Sequence, residues 1–325
     1  MISYTLMITL NDINAAQKRL NGVIIRTPLI QSLNCAPNRQ LFFKPENLQT
    51  VGAFKLRGAY NKIVSLSEAQ KKQGIIAFSS GNHAQGVAYA AQKLNIKATI
   101  VMPAIAPEIK IANTKAMGAE VVLLKSGGEE EWRAAAEALA TKHNYVMIPP
   151  FNDETIIAGQ ATVGMEIIED LPEVGVVLVP IGGGGLISGI AAALKLSGKA
   201  TKIIGVEPEI ANDAQQSFRQ GKIQKLPLSQ TKQTIADGMR ATQIGDITFA
   251  HIQAFVDDII TVSEEEIRKS MRVMLFNNRL VSEPSGAVST AAFLFKQASL
   301  PKHALTVAVI SGGNISPDFL AELLQ

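Results

Sequence analysis

An α/β fold is predicted by three features of the chain. Short β-type runs alternate with helical patterns along most of its length, one such run ends in four consecutive glycines, and no repeat or low-complexity tract interrupts the alternation. Strand candidates lie at residues 75–78, 98–102, 120–124, 176–180, 202–206 and 305–310, and helix candidates at 86–94, 108–117, 129–142, 155–169 and 264–278. Alternation of this kind builds parallel sheet covered by helices on both faces. Three successive units between Ile75 and Tyr145 can close as a small sheet of their own.

The glycines Gly182, Gly183, Gly184 and Gly185 join the apolar strand 176–181 to an amphipathic helix at 186–196. Without Cβ atoms there, main-chain N–H groups can converge on an anion, and the helix N-terminus adds the positive end of its dipole. A cup for phosphate is the functional reading; a tight turn is the bland one. The stretch lacks the Lys-Ser/Thr ending of a nucleoside triphosphate loop and the G-x-G-x-x-G spacing of a dinucleotide site. The phosphate then belongs to a smaller cofactor.

Lys55 follows an extended segment at 41–44 and opens a helix predicted over 53–66. A cation at a helix N-terminus is electrostatically misplaced. Desolvation beside Phe54 and Leu56, with the dipole, would lower the amine pKa, and such lysines form Schiff bases with carbonyl compounds. A solvated helix lysine is the alternative. A reactive lysine and a phosphate cup together suggest pyridoxal 5′-phosphate (PLP), which carries one aldehyde and one phosphate.

The segments ENLQTVGAFKLRGA, SSGNHAQGVAYAA, GGGGLISGIA and ISGGN, in this order, resemble the fold-type II PLP enzymes, in particular the threonine/serine dehydratase and serine racemase branch. The similarity runs from about Ile8 to about Phe319. It implies two open, twisted, mostly parallel sheet domains of tryptophan synthase β type. Residues 75–151 would form the small domain, inserted into a large PLP-binding domain made of 1–74 and 152–325. The chain stops soon after ISGGN, so the C-terminal regulatory domain of biosynthetic threonine dehydratases is not expected.

Composition is consistent with this. A 325-residue chain with 47% hydrophobic and 18% charged residues can build large cores. A net charge of +3 without a basic run gives no footprint for nucleic acid or a membrane surface. The lone cysteine, Cys35, excludes an intrachain disulfide and suits a reducing compartment. The opening MISYTLMITL has no basic n-region, and no apolar stretch reaches spanning length without polar interruption. The expected location is cytoplasmic, and the expected assembly a homo-oligomer, dimer or tetramer.

The resemblance assigns further roles. The loop Ser79, Ser80, Gly81, Asn82 and His83 would hold the substrate α-carboxylate at a helix N-terminus. Asn82 would bond the PLP ring hydroxyl; a polar strand–helix turn is the bland reading of this loop. Ser311 would face the pyridine nitrogen, where a serine does not enforce ring protonation and so favours β-elimination over transamination. Phe54 would pack near the ring, or simply in the core. Glu207 and Asp213, with the Ala211 carbonyl between them, match the racemase-branch pattern E-P-x-x-A-x-D for Mg²⁺ or Ca²⁺, although Asp213 can also serve as a helix cap.

The implied chemistry is deamination of a small hydroxy amino acid. Lys55 anchors the cofactor and then takes the Cα proton, the β-hydroxyl leaves, and L-threonine or L-serine gives 2-oxobutyrate or pyruvate with ammonia. Ser80 also permits serine racemisation, as the acid on the opposite face of Cα. Racemases carry an arginine near the substrate where this chain reads Glu131, Trp132 and Arg133, which leaves contacts for a 3-hydroxyaspartate carboxylate open. Cysteine-synthase-like replacement fits less well, since its loop reads T-S-G-N-T-G, and a PLP-binding regulatory protein is the non-enzyme alternative.

Overall fold

The structure is a computed structural model that describes residues 7–32, 39–79, 81–106, 108–125, 128–302 and 304–325. Ser80 and Cys35 lie outside the described residues. The strands are β1 (Ile30–Gln31), β2 (Leu41–Pro45), β3 (Ile75–Phe78), β4 (Ala98–Pro103), β5 (Glu120–Leu124), β6 (Val146–Met147), β7 (Val176–Pro180), β8 (Lys202–Pro208), β9 (Asp258–Val262) and β10 (Thr306–Ile310). They form a six-stranded sheet in the order β1-β2-β10-β7-β8-β9 and a four-stranded sheet in the order β5-β4-β3-β6. Every pairing is parallel except β1 with β2.

The alternating β7 residues explain why the large sheet is covered on both sides. Val176 and Leu178 pack with Phe43, Val288 and Phe293 on one face, under the helix Pro284–Phe295. Val177 and Val179 pack with Val163, Leu186 and Ile190 on the other, under the helices Glu154–Asp170 and Gly185–Leu196. A strand buried on both faces reads as a continuous apolar run, as VVLVP does. In the small sheet, Ile75 and Ala77 pack with Leu56, Ile63 and Val87, while Ile76 and Phe78 pack with Ala136 and Trp132.

All six predicted strands occur, and the predicted helices shift by a few residues at their ends. The helix expected over 53–66 spans Lys55–Val64, and the one expected from residue 86 begins at Asn82. The pattern did not yield β6, β9 or the helix Pro284–Phe295. That helix is buried along residues 284–293, so no polar face marks its 3.6-residue period.

The helix Lys55–Val64 lies between the two sheets' layers. A Cβ on Gly86 would stand 3.2 Å from the Lys55 carbonyl oxygen, and one on Gly159 would stand 2.7 Å from the Gly58 Cα. Its first turn is therefore in backbone contact with a helix of each layer. The Arg57 guanidinium sits fully buried beside this turn. It donates to Glu46 through Nε and Nη2 at 2.7 and 2.8 Å, and to Glu166 through Nη1 and Nη2 at 2.6 and 2.8 Å. Lys44 adds a 2.6 Å bond to Glu166, so two bases and two acids close on one another.

Candidate active site

The carboxyl ends of β3, β7 and β10 deliver three predicted motifs to the surroundings of one cavity of about 590 Å³. This is where open parallel sheets place ligands, because the turns leaving the strands expose free N–H groups there. Lys55, Ser79, Asn82, His83 and Gly183 line the cavity.

Lys55 is the first residue of its helix, and its Nζ donates to the Pro150 carbonyl at 2.7 Å and stands 5.2 Å from the Phe54 ring centre. The turn that carries it is tied to the end of β10. The Phe54 N–H donates to the Ser311 carbonyl at 3.1 Å, and Ala53 bridges Gly312. Ser311 is buried, with its hydroxyl donating to the Ser285 carbonyl at 3.3 Å.

The glycine turn has the shape of a cradle. Gly184 adopts φ +91, a conformation that side chains disfavour, and caps the helix Gly185–Leu196. A Cβ on Gly183 would stand 2.2 Å from the Phe151 ring, so the close approach excludes any larger residue. Thr248 holds the turn from outside through a 2.8 Å bond to the Gly183 carbonyl. The free N–H groups at this helix start, beside a lysine in the same cavity, fit a phosphate-bearing aldehyde such as PLP.

The carboxylate loop is equally anchored. The Gly81 N–H donates to the Ser79 hydroxyl at 3.2 Å, and Asn82 opens the helix Asn82–Leu94. Asn82 Nδ2 donates to Glu283 at 2.6 Å and its Oδ1 accepts from Asn314 at 2.8 Å. His83 donates Nε2–H to the Ile148 carbonyl at 3.0 Å. Burial and then the Lys55 charge lower its pKa to about 3, so it stays neutral and is not a ready base.

Reading the sequence missed the charged residues that surround Asn82. Lys110 donates to Asp237 at 2.7 Å, and both line the cavity with Glu283. Burial, and secondarily repulsion from Asp237, raise the Glu283 carboxyl to about 7. Its Oε2 is buried with no hydrogen-bond partner among the described residues. Glu283 precedes Pro284 as an ordinary helix-start residue, so only its tertiary setting marks it.

The residues expected to hold a metal sit apart from this cavity's lining. Glu207, near the end of β8, accepts from the N–H groups of Ala214 and Gln215 at 3.1 and 2.7 Å, so it caps the helix Asp213–Gln220. Asp213 is buried alongside, and burial followed by its charge pushes the Glu207 carboxyl well above the ordinary range. Ala211 is buried on the turn between them. Two buried carboxylates facing a turn suit a hard divalent cation completed by water, although among the described residues no group of three or more His, Cys, Asp and Glu side chains forms a metal site.

Comparison with known proteins agrees with this geometry. The family model for pyridoxal-phosphate dependent enzymes matches residues 20–312. The chain is 44% identical over 321 residues to an L-threonine ammonia-lyase of Thermotoga maritima, covering 98% of this chain and 79% of that one. It is 41% identical to an L-threo-3-hydroxyaspartate ammonia-lyase of Saccharomyces cerevisiae, over 98% of this chain and 96% of the other. The structure of maize serine racemase superposes with a TM-score of 0.91 at 36% identity, covering 97% and 96% of the two chains. With the lysine, the glycine cradle and the asparagine loop around one cavity, the chain belongs to the pyridoxal-phosphate dependent enzyme family.

Proposed function

We propose that this protein is a PLP-dependent ammonia-lyase that converts L-threonine or L-serine to 2-oxobutyrate or pyruvate and ammonia. The observation that carries this reading is the meeting of the Lys55 amine, the Gly183 cradle and the Asn82 helix start in one cavity. When bound, PLP supplies an electron sink for negative charge developing at Cα.

The residues divide the work. Gly182, Gly183, Gly184 and Gly185 would hold the phosphate with main-chain N–H groups, Phe54 would pack near the ring and Ser311 would face its nitrogen. Ser79, Ser80, Gly81, Asn82 and His83 hold the substrate carboxylate, fixing the Cα–H bond toward Lys55. The Lys55 amine is both anchor and base: it takes the Cα proton, and the β-hydroxyl departs. Neutral His83, spent on the Ile148 carbonyl, orients rather than exchanges protons.

Ammonia and 2-oxo acid release from L-threonine and L-serine tests the reading. Lys55→Ala is expected to abolish the cofactor's visible absorbance and to lower turnover by at least about 10³-fold. A variant that keeps substantial activity contradicts the assignment. Ser80 permits serine racemisation as a second reading, and chiral analysis of the serine pool in the same assay separates the two.

The same reading includes a small domain of residues 75–151 on a large domain of 1–74 and 152–325. It also includes Mg²⁺ or Ca²⁺ at Glu207, Ala211 and Asp213, and a cytoplasmic homo-oligomer, dimer or tetramer. The cation reading is supported by the two buried carboxylates, and the assembly by the family resemblance.

A further inference from the structure

The acceptor of the Lys55 amine belongs to a stretch of chain outside the glycine turn and the asparagine loop. Residues 148–153 read IPPFND and leave the small sheet just after β6. The Ile148 N–H still bonds the Ile76 carbonyl at 2.8 Å, but the two prolines that follow have no N–H to offer the sheet. The carbonyls here serve side chains: Ile148 accepts from His83 at 3.0 Å and Pro150 from Lys55 at 2.7 Å. Pro150 and Phe151 both line the cavity.

Asn152, behind that lining, fixes where the Pro150 carbonyl stands. Its Nδ2 donates to Asp246 at 2.6 Å and its Oδ1 accepts from the Ile247 N–H at 3.0 Å, both at the start of the helix Asp246–Phe255. A Cβ on Gly245 would come within 2.2 Å of the Asn152 Oδ1, so this seat admits only glycine. The same helix turn carries Thr248, which holds the Gly183 carbonyl. One turn thus references the lysine's acceptor and the glycine turn to each other. On the other side of Asn152, Asp153 caps the helix Glu154–Asp170 and pairs with Lys62 at 2.6 Å.

Proton abstraction gives that acceptor a purpose. The Cα–H bond breaks, its electron pair stays with the carbon, and the proton forms a new N–H bond on Lys55. The amine thereby becomes an ammonium. A carbonyl binds an ammonium more strongly than a neutral amine, so one already in place stabilises the charge as it develops.

We propose that Asn152, clamped to Asp246 and Ile247, is a positioning residue: it aims the Pro150 carbonyl at the Lys55 amine and so supports the ammonium formed when that amine takes the Cα proton. The proposal rests on the ammonia-lyase reading for the base role of Lys55, and on the printed contacts of residues 148–153 for the aiming.

The test compares wild type with Asn152→Ala, Asp246→Ala and the swapped pair Asn152→Asp with Asp246→Asn. One measurement is the rate at which visible absorbance grows when full-length apoprotein meets PLP. Its control is the affinity for pyridoxine 5′-phosphate, which has the phosphate but no aldehyde. Another is exchange of the Cα proton of L-2-aminobutyrate with D2O in the holoenzyme, which needs a base but no leaving group. Asn152→Ala is expected to slow both rates by about tenfold or more, with pyridoxine 5′-phosphate affinity within about twofold of wild type. For L-threonine, kcat should fall more than KM changes. Asp246→Ala, at an exposed side chain, should slow the rates less. The swapped pair restores the bond with donor and acceptor reversed, and should recover most of the loss.

Wild-type rates in Asn152→Ala overturn the proposal. So does a loss of pyridoxine 5′-phosphate affinity as large as the loss of rate, which would make Asn152 a support of the glycine turn. Should Asn152→Ala fail to fold, slowed rates in Asp246→Ala with recovery in the swapped pair support the proposal, and wild-type rates in Asp246→Ala overturn it. If no hydroxy amino acid yields a 2-oxo acid while absorbance and proton exchange respond as expected, the lyase reading fails and the positioning role stands.

Discussion

Glu46 and Glu283 are both buried glutamates, yet their carboxyls move in opposite directions. Burial pushes each one up. At Glu46 the Arg57 charge and its paired hydrogen bonds outweigh burial and leave the carboxyl below its usual range. At Glu283 burial wins, reinforced by Asp237, and the carboxyl rises to about 7. Thr27, Gln49 and Arg57 surround Glu46 with donors, whereas Glu283 is served by Asn82 and the Asn314 backbone, and its Oε2 is buried without a hydrogen-bond partner among the described residues. A closed cluster supports the scaffold; an incompletely satisfied one lines the working cavity. Buried acids with raised pKa values are functional-site candidates for this physical reason.

The sharpest way to break the contrast is to open the closed cluster. Arg57→Met leaves Glu46 and Glu166 buried with one lysine between them, and is expected to cost about 3–5 kcal/mol of stability, read by denaturant unfolding. A loss within experimental error would mean that the cluster is replaceable by packing alone.

Glu283 should act on stability with the opposite sign from Glu46. Glu283 is protonated in the folded protein up to about pH 7, above its ordinary value of 4.5. Its contribution is therefore fully present below about pH 4.5 and is lost as pH rises through about 7, a change on the order of 3 kcal/mol at most. Glu46, with its carboxyl lowered, contributes stability that is present above its unfolded pKa and lost as pH falls. Glu283→Gln should gain stability relative to wild type at pH 8 but not at pH 4, as followed by melting curves across pH. An equal effect at both pH values would show that Glu283 carries no titration of its own.

Glu207 and Asp213 give the smallest and most conditional test. If a divalent cation completes that pair, chelation should lower the melting stability by roughly 1–3 kcal/mol and added Mg²⁺ should restore it. Superimposable melts of stripped and Mg²⁺-loaded protein remove the cation from the account.

Which parts of the site were legible depended on how local their chemistry was. Lys55 beside a helix start, and Gly182–Gly185 between an apolar run and an amphipathic one, declare themselves within a dozen residues. Their fold context was readable too, because VVLVP and IIAF are apolar runs bounded by turn residues. Glu283, Lys110, Asp237 and Trp132 carried no such mark. They stand on segments far apart in the chain and acquire meaning only when the two sheets face one cavity. The ambiguity at Glu131, Trp132 and Arg133 was likewise tertiary, since adjacent residues on a helix point about 100° apart and the pattern does not say which faces the cavity.

The backbone contacts at Gly58, Gly86 and Gly159 set a mechanical tolerance for the reaction. Lys55 is referenced to the large sheet through Ser311 and Gly159, while the carboxylate loop is referenced to the small sheet through its own helix. With Gly86 against the Lys55 carbonyl, the two frames meet like a shaft in a bearing with no liner. Inserting even one methyl group there would offset the amine from the carbon it must reach, and errors near 1 Å are enough to slow such chemistry by about 10²-fold. The width of three missing side chains thus works as a gauge for proton transfer.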